Sequence, residues 1–76
     1  MEVSLSRLGI GKTGRIKYLM GGRGFQTRII SLGLRVGKAI KVISSHGFGG
    51  PIVVEIDNMK VAIGRIMADR IIIETK

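Results

Sequence analysis

Ile52-Val53-Val54-Glu55-Ile56-Asp57-Asn58-Met59-Lys60-Val61-Ala62-Ile63 is the stretch that decides the fold. Ile52, Val54 and Ile56 alternate with Val53 and Glu55, a period of two that puts the first three on one face of a strand. Asp57-Asn58 follows, a pair whose short polar side chains tolerate positive φ and so suit a tight turn. Met59, Val61 and Ile63 then resume on one face, with Lys60 and Ala62 opposite. The stretch predicts a β-hairpin.

Similar runs lie on either side of it. Thr13 to Met20 alternates loosely, with Ile16, Tyr18 and Met20 expected on one side and Arg15, Lys17 and Leu19 on the other. Ala39 to Ile43 sets Ile40 and Val42 against Lys41 and Ile43. Arg70 to Glu74 supplies a last strand, expected to be buried on both faces because three isoleucines follow one another. One segment changes period. Phe25, Ile29 and Leu32 stand at i, i+4 and i+7, which is helical spacing. Gly33 suits a left-handed C-terminal cap there, and Leu34 can fold back onto Ile29. A short helical turn is predicted at Arg65 to Asp69. Short strands in so small a chain cannot build an ordinary sandwich, whereas a sheet curled on itself encloses a small core. The fold class read from residues 1–76 is therefore mainly β, in a single domain. It is a small, partly open barrel of about five strands, with one α-helix inserted after the first strand and a helical turn before the last.

Composition limits what such a domain can do. The chain has 76 residues, 45% of them hydrophobic, enough apolar content to fold despite its charge. Length leaves no room for a second domain or a dinucleotide-binding fold. There is no cysteine and only one histidine, His46. No disulfide framework or thiolate metal site can form, and a cytoplasmic setting is expected. No apolar run approaches the ~20 residues of a membrane-spanning helix.

Gly9-Ile10-Gly11-Lys12-Thr13-Gly14 matches the G-x-G-x-x-G pattern of dinucleotide sites. That chemistry needs a helix after the glycines, with its amides pointing at phosphate. A strand follows instead, so the motif is read as a turn entering that strand. Ser44-Ser45-His46 places hydroxyls beside an imidazole in sequence, but neighbours in sequence seldom converge, and no third group orients them. His46 is expected in an exposed loop. Glu55 and Asp57 are expected as a solvated pair. No catalytic, cofactor or metal site is read from the sequence, and the reading is a protein that is not an enzyme.

Thirteen Lys and Arg against five Asp and Glu give a net charge of +8. A basic surface attracts nucleic acid, anionic lipid or an acidic protein partner. Binders of single strands usually add aromatic platforms, and Tyr18, Phe25 and Phe48 are the only aromatic residues. Nucleic acid is therefore not the expected partner. An RNA- or ribosome-binding barrel stays as an alternative function, as does a free-standing interaction domain of a metal-responsive regulator.

Taken in order, Leu5, Leu8, Gly11, Gly14-Arg15-Ile16 and Ile29-Ile30-Ser31-Leu32-Gly33-Leu34-Arg35-Val36-Gly37 resemble the FeoA family, ferrous iron transport protein A of bacteria. Gly50-Pro51-Ile52-Val53-Val54-Glu55-Ile56 and Val61-Ala62-Ile63-Gly64-Arg65-Ile66-Met67-Ala68 with Ile71 continue the resemblance. Val36 stands where the family commonly has proline. The resemblance implies an SH3-like barrel and an accessory, regulatory role in ferrous iron uptake through protein–protein interaction. It further implies a partner, the membrane ferrous iron permease with its cytoplasmic GTP-binding region, which would recruit the protein to the inner face of the membrane. Transition-metal binding is associated with the family, although one histidine and five scattered acids offer few ligands here. The residues expected to meet the partner are Arg23, Arg28, Ile30, Leu34 and Arg35, an apolar contact within a basic rim, with Gln26 beside them on the outer side of the helix. An exposed edge strand leaves weak self-association open.

Overall fold

A computed structural model describes residues 1–47 and 49–75. In chain order its elements are β1 (Glu2–Ser4), a 3-10 turn (Leu5–Arg7), β2 (Thr13–Leu19), α1 (Arg23–Ser31), β3 (Ala39–Ser45), β4 (Ile52–Ile56), β5 (Met59–Ile63), α2 (Arg65–Asp69) and β6 (Ile71–Glu74). The hairpin forms as predicted: β4 and β5 pair antiparallel with Ile56 opposite Met59 and Ile52 opposite Ile63. Asp57 and Asn58 take φ of 51° and 64°, the left-handed pair whose twist matches that of the flanking strands.

The strands form one antiparallel sheet in the order β1-β6-β2-β3-β4-β5. At ~4.8 Å between neighbours, a flat sheet of this order would hold its outermost strands far apart. Here Ile16, Ile40, Val42, Val54, Ile63, Ile71 and Ile73 share one buried cluster with Leu5, Leu8, Ile29, Leu34 and Ala68. The sheet is therefore strongly coiled around a single core. β1 and β5 do not pair with each other, so the barrel is open, and the radius of gyration is 10.9 Å. No helix among the described residues is long and apolar enough to cross a membrane.

Three details depart from the sequence reading. β1, of three residues, is a sixth strand, and α1 accordingly follows the second strand. A β-bulge at Lys17 shifts the register between Ile16 and Tyr18. Beyond the bulge the faces exchange. Ile16 is buried and Leu19 packs on the core, while Tyr18 and Met20, expected beside Ile16, are exposed. The third detail is β6. It lies inside the sheet, with Ile71 and Ile73 fully buried, but Ile72 is only half-buried because one face meets no second layer.

β1 is held by charge as well as by main-chain pairing. The Lys17 ammonium lies 2.6 Å from Glu2 and 3.2 Å from Glu74, and the Met1 amine lies 2.8 Å from Glu74. Hydrogen bonds from the Met1 amine and from Lys17 hold the Glu74 carboxyl below the usual carboxylate range. Hydrogen bonds to Glu2 and Glu74 raise Lys17 above the usual lysine range. A lowered carboxyl contributes fully above its unfolded pKa and loses that contribution as pH falls through the folded value. A raised lysine contributes fully below its unfolded pKa and loses it only as pH rises through the folded one. The clasp should therefore hold across neutral pH and open in acid. Hydrogen-exchange protection of the β1 amides should drop on acidification in the native chain. In Glu74→Gln it should be low at both ends, and equal protection in the two proteins at neutral pH would contradict the clasp.

Candidate interaction surface

The segment expected to meet a partner is built on α1. The helix begins after Gly22, which takes an extended conformation. The Gln26 side-chain amide donates to the carbonyls of Leu19 and Gly21 at 3.1 and 3.2 Å, tying the first turn to the end of β2. Gly21 gives the Phe25 ring room: a Cβ there would lie 2.5 Å from the ring. Arg70 lies over that ring, its guanidinium carbon 5.7 Å from the centroid, within the range of a cation–π contact.

The helix ends as the sequence predicts. Gly33 takes φ of 91°. Its amide donates to the Ile30 carbonyl at 2.9 Å, and the Leu34 amide donates to the Ile29 carbonyl at 3.2 Å. This is the paired pattern of a Schellman cap. Ile29 and Leu34 are both fully buried. One side of α1, with Phe25, Ile29 and Leu32, is thus locked onto the core.

What remains outside differs from the expected set. Arg23, Arg28 and Arg35 are exposed, and Ile30 is 44% exposed. Leu34 has no accessible surface and offers nothing to a partner, because the cap draws it under the helix. Gln26 also leaves the outer side, turned back onto the β2–α1 loop. At ~100° per residue, Arg23, Thr27 and Ile30 fall on one stripe, with Arg28 on the flank about 140° from Arg23. Two exposed apolar residues close to the C-terminal end of α1 are absent from the expected set. Val36 is 61% exposed just after Arg35, and Met59 is 55% exposed. Met59 Cε comes within 3.9 Å of where a Gly33 Cβ would stand, so the hairpin tip reaches the end of α1. Alternation places Met59 on one face with Val61 and Ile63, and its position beside the turn on the edge strand β5 leaves it exposed. Lys38 pairs with Asp57 at 2.7 Å and fixes the same tip.

Elsewhere several polar residues near the β3–β4 loop and the hairpin are committed to structure. Arg65 donates to the Ser45 hydroxyl at 3.1 Å and to the His46 carbonyl at 3.0 Å. His46 is exposed in the β3–β4 loop. Phe48 lies outside the described residues. Glu55 sits opposite Lys60, and Asp57 serves the turn, so the two do not form an isolated pair of carboxylates. The glycine-rich motif leads into β2, not into a helix, as read from the sequence. No group of three or more His, Cys, Asp or Glu that could hold a metal ion occurs among the described residues. These donors do not fit a resident transition metal.

The comparisons with known proteins agree with this architecture. The family model of the FeoA domain matches residues 3–75.

The chain belongs to the FeoA family.

Within that family, a Methanocaldococcus jannaschii protein described as an Fe(2+) transport protein A is 32% identical over 59 residues, spanning 78% of this chain and 70% of that one. A crystal structure of FeoA, described as an iron uptake regulatory protein, superposes with a TM-score of 0.89 at 32% identity. It covers 97% of this chain and 96% of that one. A Stenotrophomonas maltophilia FeoA, solved with zinc and described as a prokaryotic SH3 domain protein, superposes at 0.80 with 17% identity, over 95% of this chain and 89% of that one. The coiled six-stranded sheet is thus an SH3-like fold.

Proposed function

We propose that this FeoA-family chain acts in ferrous iron uptake as a binding module, not as a catalyst. It docks on the cytoplasmic GTP-binding region of the membrane ferrous iron permease. Docking would bring a cytoplasmic protein to the inner face of the membrane. The observation that carries this reading is Ile30, left exposed on a helix whose opposite side is fixed to the core, with Arg23 on the same stripe, Arg28 on the flank and Arg35 exposed just beyond the C-terminal end. An apolar contact inside a basic rim combines burial with steering by charge. Met59 and Val36 extend the apolar part.

Reversing two rim charges, in Arg23→Glu with Arg35→Glu, should weaken binding to the isolated permease region at least ~10-fold. Neither arginine is buried or paired with an acid among the described residues, so the melting temperature should stay close to native. Biolayer interferometry with and without guanine nucleotide measures the first, and circular dichroism the second. Unchanged affinity in a folded variant would remove the α1 surface from the account.

A further inference from the structure

A concave surface lies apart from α1. It is a groove between β1, the loop that follows the 3-10 turn, and the adjoining ends of β2 and β3. Val3, Leu8 and Ala39 give it apolar walls, and Arg7, Lys12 and Arg15 stand exposed around it. Among the described residues neither Arg7 nor Lys12 has an acidic partner. Glu74 is the only acid in the lining, and its carboxylate is already engaged by Lys17 and the Met1 amine. The groove is therefore strongly cationic.

Its rim is held in place before anything binds. The Gly11 amide donates to the Val42 carbonyl at 2.8 Å, and the Val42 amide donates to the Lys12 carbonyl at 3.0 Å. These bonds fasten the loop to β3. Arg15 donates to the Gly37 carbonyl at 2.9 Å. A pre-organised rim loses little freedom on binding. β1, β6, β2 and β3 lie side by side in the sheet, so the groove runs across the ends of adjacent strands.

We infer that this groove docks an extended acidic peptide segment of a partner protein, with aliphatic side chains against Val3 and Ala39 and carboxylates at Arg7, Lys12 and Arg15. Charge complementarity selects this occupant. A second copy of a +8 chain would bring like charge to like. RNA would find phosphate contacts but no aromatic face in the lining on which to stack a base. The inference does not depend on the permease or on α1.

The test uses three fluorescent probes: a short peptide of alternating Glu and Val, its Lys-Val counterpart, and oligouridylate. By anisotropy at low salt the Glu-Val peptide should bind, and added salt should weaken it. Amide shifts on titration should centre on Leu8 to Lys12 and β1. Arg7→Glu with Lys12→Glu should weaken binding at least ~10-fold, while Arg23→Glu with Arg35→Glu should leave it unchanged. The shift mapping is done on the native chain, so it decides the matter even if the reversed variant folds poorly. No binding of the Glu-Val peptide, equal binding of the Lys-Val peptide, shifts centred on α1, or tighter binding of oligouridylate at the same amides would each overturn the inference.

Discussion

Gly14→Val should lower the stability of the domain by about 3 kcal/mol or more, the largest loss expected from any glycine replacement in the chain. Gly14 lies in β2 opposite Ile40 of β3, where β6 passes closely on its other side. A Cβ at this position would stand 2.3 Å from Ile73 Cγ2 and 2.8 Å from the Glu74 carbonyl oxygen. Ile73 is fully buried between Val3 and Ile16 and has no free space to enter. Glu74 O is main chain and moves only if β6 moves. If Gly14 were merely a permissive strand residue, valine would be neutral or stabilising, because β-branched side chains favour strands. The two readings differ in sign. A domain of this size has only ~5–15 kcal/mol to lose, and each kcal/mol lowers the midpoint by about 4–8 °C. Thermal melts should therefore show a fall on the order of 10 °C or more. Gly14→Ala should fall as well, because the first added carbon already collides.

Leu34→Ala is the second large effect, at about 2–5 kcal/mol. The side chain is fully buried and closes the C-terminal cap of α1 against Ile29. Chemical denaturation should show the midpoint falling with this substitution. Ile30→Ala, four positions earlier and 44% exposed, should change stability by only ~0.5 kcal/mol. Permease affinity should respond in the opposite pattern, falling for Ile30→Ala and little for Leu34→Ala under conditions where that variant is folded. The pair separates the residue that builds the surface from the residue that forms it.

How much of this was legible in the sequence depended on locality. The hairpin from Ile52 to Ile63 and the cap at Gly33 are short-range devices, fully written in neighbouring residue types, and both form as read. β1 was missed because three residues carry no measurable periodicity, and its pairing with β6 joins opposite ends of the chain. The bulge at Lys17 left no mark either, since only the partner strand reveals that one residue is extra. That single residue exposes Tyr18 and turns Leu19 inward. The candidate surface was half visible. Arg23, Arg28, Ile30 and Arg35 are accessible, whereas Leu34 was placed at once in the cap and on the surface, and only the cap proved right. Met59 entered the picture only when the hairpin tip met the end of α1.

The central claim is that the outer side of α1 and the residues just beyond it form the contact with the permease. Titrating the isotopically labelled protein with the permease's cytoplasmic GTP-binding region, and following backbone amides by NMR, tests this most directly. The account predicts shifts or broadening concentrated at Arg23, Thr27, Ile30, Arg35, Val36 and Met59, with the amides around His46 unaffected. Saturable changes confined to other parts of the barrel, or no change with a folded permease region in excess, would contradict it.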